Sequence, residues 1–392
     1  MMGSFSRRFG LMTCIISFFA IAIWLSIEFH YPAEIVSTPK VLPGGIEAFI
    51  TPGLMIQHIG EDGTIWSARG YCVYKSSDGV KSKMAFKVPS GNLISWMGNF
   101  RSIRALTQYI EICEVFPLRS GTILAFSGGY IWRSTDGGNT FRQVHKLRHF
   151  GMRNGRGVNP QGMAEDDHGA FYYGEYFRNL ERGSVFVYRS VDDGKNWEVV
   201  HRFNPGEIRH IHSLQFDPYT QVLWIATGDD DHEPMIGYSI DKGETFHKVG
   251  SGSQKWRAVS LLFTKDAIFW GTDSSNIQNW ICRLDRENGD VKQVCKIDGP
   301  IYYSTKLRDG TLIMGRTVQG DKGEWDDMVS IWLSKDGKQW IKKSLGKRKS
   351  SRGYAFLRLA RGNSSADLYA SILNTDYHEE ALLKVPFKTI VR

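Results

Sequence analysis

Five short stretches built on Ser-x-Asp constrain the fold of this 392-residue chain more than anything else in it. Ser134-Thr135-Asp136-Gly137-Gly138-Asn139-Thr140-Phe141 reads Ser-x-Asp-x-Gly-x-Thr-Phe, and the stretch from Ser239 through Asp241, Gly243 and Thr245 to Phe246 repeats it in full. Ser190 to Trp197 differs in carrying Asn196 for Thr, Ser334 to Trp340 is one residue shorter, and Ser76-Ser77-Asp78-Gly79 is a worn copy. The aspartates fall at 78, 136, 192, 241 and 336, so the steps are 58, 56, 49 and 95, the last being two periods with a copy missing. One period is one supersecondary unit, and a unit of about fifty residues suits a four-stranded propeller blade. The 13% aromatic content and 41 glycines fit many short strands joined by tight turns.

The chemistry of the repeat is that of a hairpin turn. Asp and Ser accept hydrogen bonds from nearby amides, Gly takes the positive φ that other residues resist, and the closing aromatic starts the next strand and packs between blades. No substrate is needed to explain these residues. The pattern resembles the Asp box of the sialidase or BNR-repeat superfamily, over a span from Ser76 to Trp340. The resemblance implies an all-β propeller whose boxes lie away from the active face.

Apolar, β-branched runs separated by turn signals count out as blades at 47–90, 108–147, 156–203, 207–250, 255–298, 299–346 and 353–390. The expectation is a single β-propeller over 47–392, with seven blades favoured and six as the alternative. The last blade shows three strand runs, so a segment near Ile46-Glu47-Ala48-Phe49-Ile50 is expected to supply the fourth and close the ring. Ahead of it, residues 28–46, with Pro32, Pro39 and Pro43, read as a linker.

Leu11 to Ile27 is an uncharged, mostly apolar run of 17 residues after Arg7 and Arg8. A membrane span needs roughly 17–25 residues, and the flanking charges place residues 1–10 inside and the propeller outside. A transmembrane signal anchor is therefore expected. A cleaved signal peptide is the rival, because Ala20-Ile21-Ala22 has the small-x-small form. For an exported domain the cysteines invite disulfides. Cys282 and Cys295 flank Asn288-Gly289 symmetrically, which predicts a two-residue hairpin and a bridge across it. Cys72 and Cys113, on neighbouring blades, read either as a pair or as buried thiols. The net charge of +8 permits an acidic glycan or an anionic surface as partner, and no nucleic-acid motif accompanies it.

In a propeller, inner strands begin and second strands end on one face, opposite the boxes. Second strands here end in Gly174-Glu175, Gly228-Asp229, Gly271-Thr272-Asp273 and Gly315-Arg316, and inner strands begin with Arg209-His210-Ile211-His212, Trp256-Arg257 and Ile301-Tyr302-Tyr303. Carboxylates, arginines, imidazoles and phenols are thus gathered round one funnel, where ring folds bind ligands. Glu175, His210, Asp229 and Tyr302 are the candidate catalytic groups. Arg209, His212, Trp256, Arg257, Tyr303 and Arg316 are the candidate substrate-binding groups, the arginines as carboxylate clamps and the aromatics as sugar platforms. No cofactor and no metal are expected, the run Asp229 to Glu233 being read as a solvated acidic loop rather than a cation site.

The sialidase family recognises a sugar carboxylate with three arginines and uses an Asp acid/base with a Tyr–Glu pair. Its Phe-Arg-Ile-Pro motif is missing here, Phe100-Arg101-Ser102-Ile103 being a distant echo. The resemblance therefore implies recognition of an acidic glycan, with cleavage by a sialidase-like glycoside hydrolase or a polysaccharide lyase as the enzymatic reading. A non-catalytic binding or assembly propeller is the alternative.

Overall fold

A computed structural model describes residues 31–100, 103, 112–350, 353–377 and 380–390. The apolar run Leu11 to Ile27 lies outside them, and among the described residues no helix is long and apolar enough to cross a membrane. Seven sheets form, one per blade, and the five four-stranded ones run in sequence order from the axis outward with antiparallel neighbours. The inner strands are Met55–Ile59, Ile112–Pro117, Gly157–Glu165, His210–Asp217, Leu262–Phe263, Ile301–Lys306 and Phe356–Leu359.

The ring closes as expected. Ile46–Pro52 pairs with Glu380–Val385 through Phe49↔Lys384 and Ile50↔Leu383, so the blade that ends the chain takes its fourth strand from the beginning. A further parallel contact of Arg361 and Gly362 with His58 and Ile59 ties this blade to the first. The stretch expected as a linker takes part in the sheets too. Glu34–Val36 pairs with Lys81–Lys87 at the outer edge of blade 1, and Thr38–Leu42 pairs with Ile46–Pro52. Pro39 is tolerated there because it sits on an edge strand, where no ladder donor is required.

The core lies between blades rather than within them. Each apolar cluster joins two neighbours, as when Phe126 and Ile131 of blade 2 pack with Phe171 and Tyr173 of blade 3. Ile331 of blade 6 likewise packs with Leu357 of blade 7. Each fully buried apolar side chain contributes about 1.5–3 kcal/mol, so the closed ring is stabilised at every joint.

The boxes fold as their chemistry dictates. Ser134 Oγ donates to Asp136 Oδ1 at 2.7 Å and accepts the Gly138 amide at 2.9 Å, while the Thr140 amide and hydroxyl both donate to Asp136. Asn196 replaces Thr without losing the second bond, its Nδ2 donating to Asp192 Oδ2 at 2.6 Å. Gly138 is required twice over. Its φ is +98°, and a Cβ there would stand 2.2 Å from the Phe86 ring of the previous blade.

The Cys282–Cys295 bridge is not supported. The hairpin turns over four residues rather than two, since Asp285 and Asp290 close the ladder. A bulge next to Cys282 then pairs it with Gln293, while Cys295 pairs with Ile281. The two sulfurs consequently face opposite sides of the sheet, Cys282 toward Trp224 and Trp270, and Cys295 toward Ile281 and Ile297.

Candidate functional site

Four inner strands carry the same irregularity near the funnel. The register skips one residue at Gln57, Cys113, His212 and Tyr302, leaving each unpaired opposite its second strand. Bulges of this kind re-aim a side chain out of the pleat. In blade 4 the result brings two imidazoles together, with His210 Nε2 standing 3.1 Å from His212 Nε2. Each ring reaches a different neighbouring blade through its other nitrogen, His210 Nδ1 to the Phe177 carbonyl at 2.7 Å and His212 Nδ1 to the Ala258 carbonyl at 3.2 Å.

Asp229, just beyond the end of the paired second strand, joins them. Its carboxylate lies 3.0 Å from His212 Nε2 and 3.4 Å from His210 Nε2. Two guanidiniums meet the same carboxylate, Arg209 at 2.7 Å and Arg257 at 3.1 Å. Arg257 also binds Asp273 at 3.2 Å, and the Gln319 side-chain amide links Asp273 to Tyr302, its Nε2 donating to the Tyr302 hydroxyl at 2.7 Å. The Tyr176 ring lies over His210, with centroids 4.1 Å apart. The cluster thus spans blades 3 to 6. His210, His212 and Asp229 form the group among the described residues that could hold a metal ion.

The electrostatics divide the two carboxyls. Burial would raise Asp229, but the two imidazoles facing it more than offset this and hold it well below the usual range. Asp273 goes the other way. Burial pushes it up to about 7 against the pull of Arg257, with the Asp229 charge adding to the rise. Burial lowers the His212 ring despite its contact with Asp229. It also raises the Tyr302 and Tyr176 phenols well above their ordinary value.

Six of the ten residues expected at the site are therefore brought together or into its second ring of contacts: Arg209, His210, His212, Asp229, Arg257 and Tyr302. Four are placed elsewhere. Glu175 turns away from the funnel and binds Arg148 and the Phe186 amide, because side chains alternate along the strand and Tyr176 takes the funnel side. Arg316 is fully buried in an ion cluster with Asp298, Glu324 and Asp326. Tyr303 packs in the core between blades 6 and 7. Trp256 stacks on Trp270, centroids 5.7 Å apart.

Three participants were not singled out from sequence. Asp273 closes one of the Gly-acid strand ends noted above, so its place was legible although its role was not. Tyr176 follows another such end by one residue. Gln319 lies in a loop, 46 residues from its partner Asp273, and carries no local signal. The acidic run also behaves differently from a solvated loop, for Glu233 is buried, accepts the amides of Asp229 and Asp230, and pairs with Arg182.

No known protein-family profile matches the chain. A curated relative, the "Probable oligoxyloglucan-reducing end-specific xyloglucanase" of Neosartorya fischeri, is 24% identical over 216 residues, which are 54% of this chain. The match spans only 25% of that relative's length. Among solved structures, an oligogalacturonate lyase in complex with manganese superposes with a TM-score of 0.58 at 9% identity, covering 91% of this chain and 98% of its own. An oligogalacturonate lyase from Vibrio parahaemolyticus gives 0.59 over the same shares, also at 9% identity. An ancestral GH74 enzyme gives 0.52 at 10% identity, over 89% of this chain and 47% of its own. At such identities the likeness is one of fold. The chain is a seven-bladed β-propeller carrying Asp boxes, the fold its repeats predict.

Proposed function

We propose that this chain is a membrane-anchored, extracytoplasmic propeller that binds an acidic glycan in its funnel and acts on it by proton transfer. The observation that carries this reading is the convergence of Arg209, Arg257, the two histidines, Asp229, Asp273, Tyr176 and Tyr302 from four blades onto one face. Guanidinium forks match a sugar carboxylate. A carboxyl that titrates near 7 can give or take a proton at neutral pH. Arg209, at the rim, would hold the sugar carboxylate, and Asp273 would transfer the proton. Support also comes from the fold neighbours, which include an oligogalacturonate lyase and a GH74 enzyme.

Membrane anchoring rests on Leu11 to Ile27. Support for an orientation comes from the strand register. Glu34–Val36 runs antiparallel to Lys81–Lys87, so the chain before it emerges on the funnel side. Tyr31 lies there beneath Arg69 and Lys87, and its hydroxyl donates to the Asn99 carbonyl. The same short segment exposes Leu93, Ile94, Trp96 and Met97. An anchor at this end would turn the funnel toward the bilayer and select membrane-proximal glycans.

The second reading, a non-catalytic assembly propeller, is favoured by the way Arg257, Asp229 and Asp273 satisfy one another. One experiment decides. The full chain is put on a glycan array, and any acidic glycan it binds is incubated and its products are analysed. Cleavage with a new reducing end means a hydrolase, and an unsaturated, ultraviolet-absorbing end means a lyase. Arg209→Ala should lower binding of the acidic glycan at least tenfold. Binding without turnover favours the second reading, and no binding to any acidic glycan overturns the first.

A further inference from the structure

The neighbours of the two histidines dictate where their protons sit. A peptide carbonyl only accepts, so the contacts of His210 Nδ1 with Phe177 and of His212 Nδ1 with Ala258 place a hydrogen on both Nδ1 atoms. Neutral rings then present bare lone pairs at Nε2. Yet these two nitrogens face each other at 3.1 Å, and the Asp229 carboxylate faces both, Oδ1 lying 3.0 Å from His212 Nε2 and Oδ2 3.4 Å from His210 Nε2. Three electron-pair donors pointed at one another repel unless positive charge lies among them.

A proton or a metal ion could supply that charge. An extra proton would make one ring an imidazolium, with one N–H to share among two acceptors. Both rings are nearly inaccessible, 4% and 3% exposed. Burying an imidazolium there costs its desolvation and returns a single hydrogen bond. A metal ion instead forms three short bonds. Ligand distances of about 2.0–2.1 Å give donor–donor separations of about 2.9 Å at octahedral angles and about 3.3 Å at tetrahedral ones, close to the separations among these nitrogens and carboxylate oxygens. The carbonyls that hold the Nδ1 protons are the outer partners a ligating histidine ordinarily has.

We propose that His210 Nε2, His212 Nε2 and the Asp229 carboxylate are the inner ligands of a divalent first-row transition-metal ion. Two imidazoles and one carboxylate suit zinc, manganese or iron, whereas calcium and magnesium prefer all-oxygen sets. Three protein ligands leave coordination positions open, the arrangement of a catalytic rather than a structural site. Oxygens of a bound sugar are natural occupants. The site belongs to the same funnel as the proposed glycan site, but the ion's binding is read without any glycan, so either proposal can fail alone.

The test uses the purified full chain, stripped with chelator and titrated with Zn²⁺ and with Mn²⁺ by calorimetry, with metal content measured after dialysis. About one equivalent of at least one ion should remain bound and raise the melting temperature. His210→Ala and Asp229→Asn should each weaken uptake at least tenfold, while His232→Ala, in the nearby loop, should match the wild type. Near-ultraviolet circular dichroism shows whether each variant keeps its tertiary structure. Should one unfold, the visible spectrum of the Co²⁺-loaded wild type reports nitrogen ligation directly. The proposal is overturned if the stripped wild type retains neither ion, or if uptake is the same in both ligand variants as in the wild type.

Discussion

Asp136 and Asp273 sit on opposite faces of one ring and titrate in opposite directions. Asp136, in a box turn, is held at about 2 by the amide and hydroxyl of Thr140 and by Ser134. Asp273, in the funnel, is pushed up to about 7 by burial. The box carboxylate is solvated and takes its bonds from residues within four positions of it. The funnel carboxyl is removed from water and depends on Arg257 and Gln319, which are 16 and 46 residues away. The box face is thus a set of independent local turns, each stabilising its own hairpin. The funnel face is one coupled cluster, in which several charges share few partners and small changes move protons.

The largest effect expected from any single change tests where the boundary between the two regimes runs. Arg316 ends a second strand, as the funnel residues do, yet it is fully buried among Asp298, Glu324 and Asp326. Removing one partner of a buried ion cluster leaves uncompensated charge and costs about 3–5 kcal/mol. Arg316→Met should therefore lose about that much in denaturant unfolding. Were Arg316 instead a substrate clamp, the variant would keep its stability and lose glycan binding.

Next comes a change on the box face. Gly138→Ala forces a Cβ into the Phe86 ring at a backbone angle that L-residues resist. Overpacking of this kind costs about 1–3 kcal/mol, and the strained φ adds to it. Thermal unfolding should show the loss with glycan binding intact. A variant as stable as the wild type would mean that the joint between blades 1 and 2 is loose enough to yield.

These two sites also show what sequence could and could not supply. A box is complete within eight residues, so its turn, its bonds and even the tolerance for Asn196 follow from residue types alone. Ring closure by Ile46–Pro52 was legible for a similar reason, since a blade with three strands lacks one and the chain offered one candidate. The Cys282–Cys295 pairing failed because a bulge and a longer turn, neither of which leaves a mark in residue identity, shifted the register. Glu175 and Tyr176 are adjacent, and only the pleat decides which of them faces the funnel. Arg316 was misread because its partners come from loops whose paths no periodicity predicts. The funnel could be located from strand order, but its pairings could not.

A third prediction separates the faces by pH. For Asp273 the folded value of about 7 exceeds the ordinary 3.8, so the fold favours its neutral form. Its contribution to stability is fully present below 3.8 and is lost as pH rises through about 7. The box aspartates have the opposite sign. Asp136 and Asp241 fall from 3.8 to about 2, so their contribution is present above 3.8 and is lost as pH falls through about 2. Asp273→Asn should flatten the slope of stability between pH 4 and 7 while leaving acid unfolding near pH 2 unchanged. If the protein is an enzyme, the same change should remove an ionisation near pH 7 from its rate profile. Equal shifts at both ends of the pH range would show that the two faces are coupled after all.

The smallest expected effect comes from Asn196→Thr, which gives the third box the threonine of the two full copies. Asn196 already donates its amide to Asp192 Oδ1 at 2.9 Å and its side chain to Oδ2 at 2.6 Å, the two bonds that Thr140 makes to Asp136. Threonine would exchange one side-chain donor for another at a solvent-facing turn, and surface exchanges that keep their bonds stay within about 0.5 kcal/mol. Stability, glycan binding and metal uptake should all match the wild type. A measurable change in binding would be informative out of proportion to its size. It would mean that a box turn communicates with the funnel across the blade, and the division of this ring into a local, structural face and a coupled, functional one would have to be withdrawn.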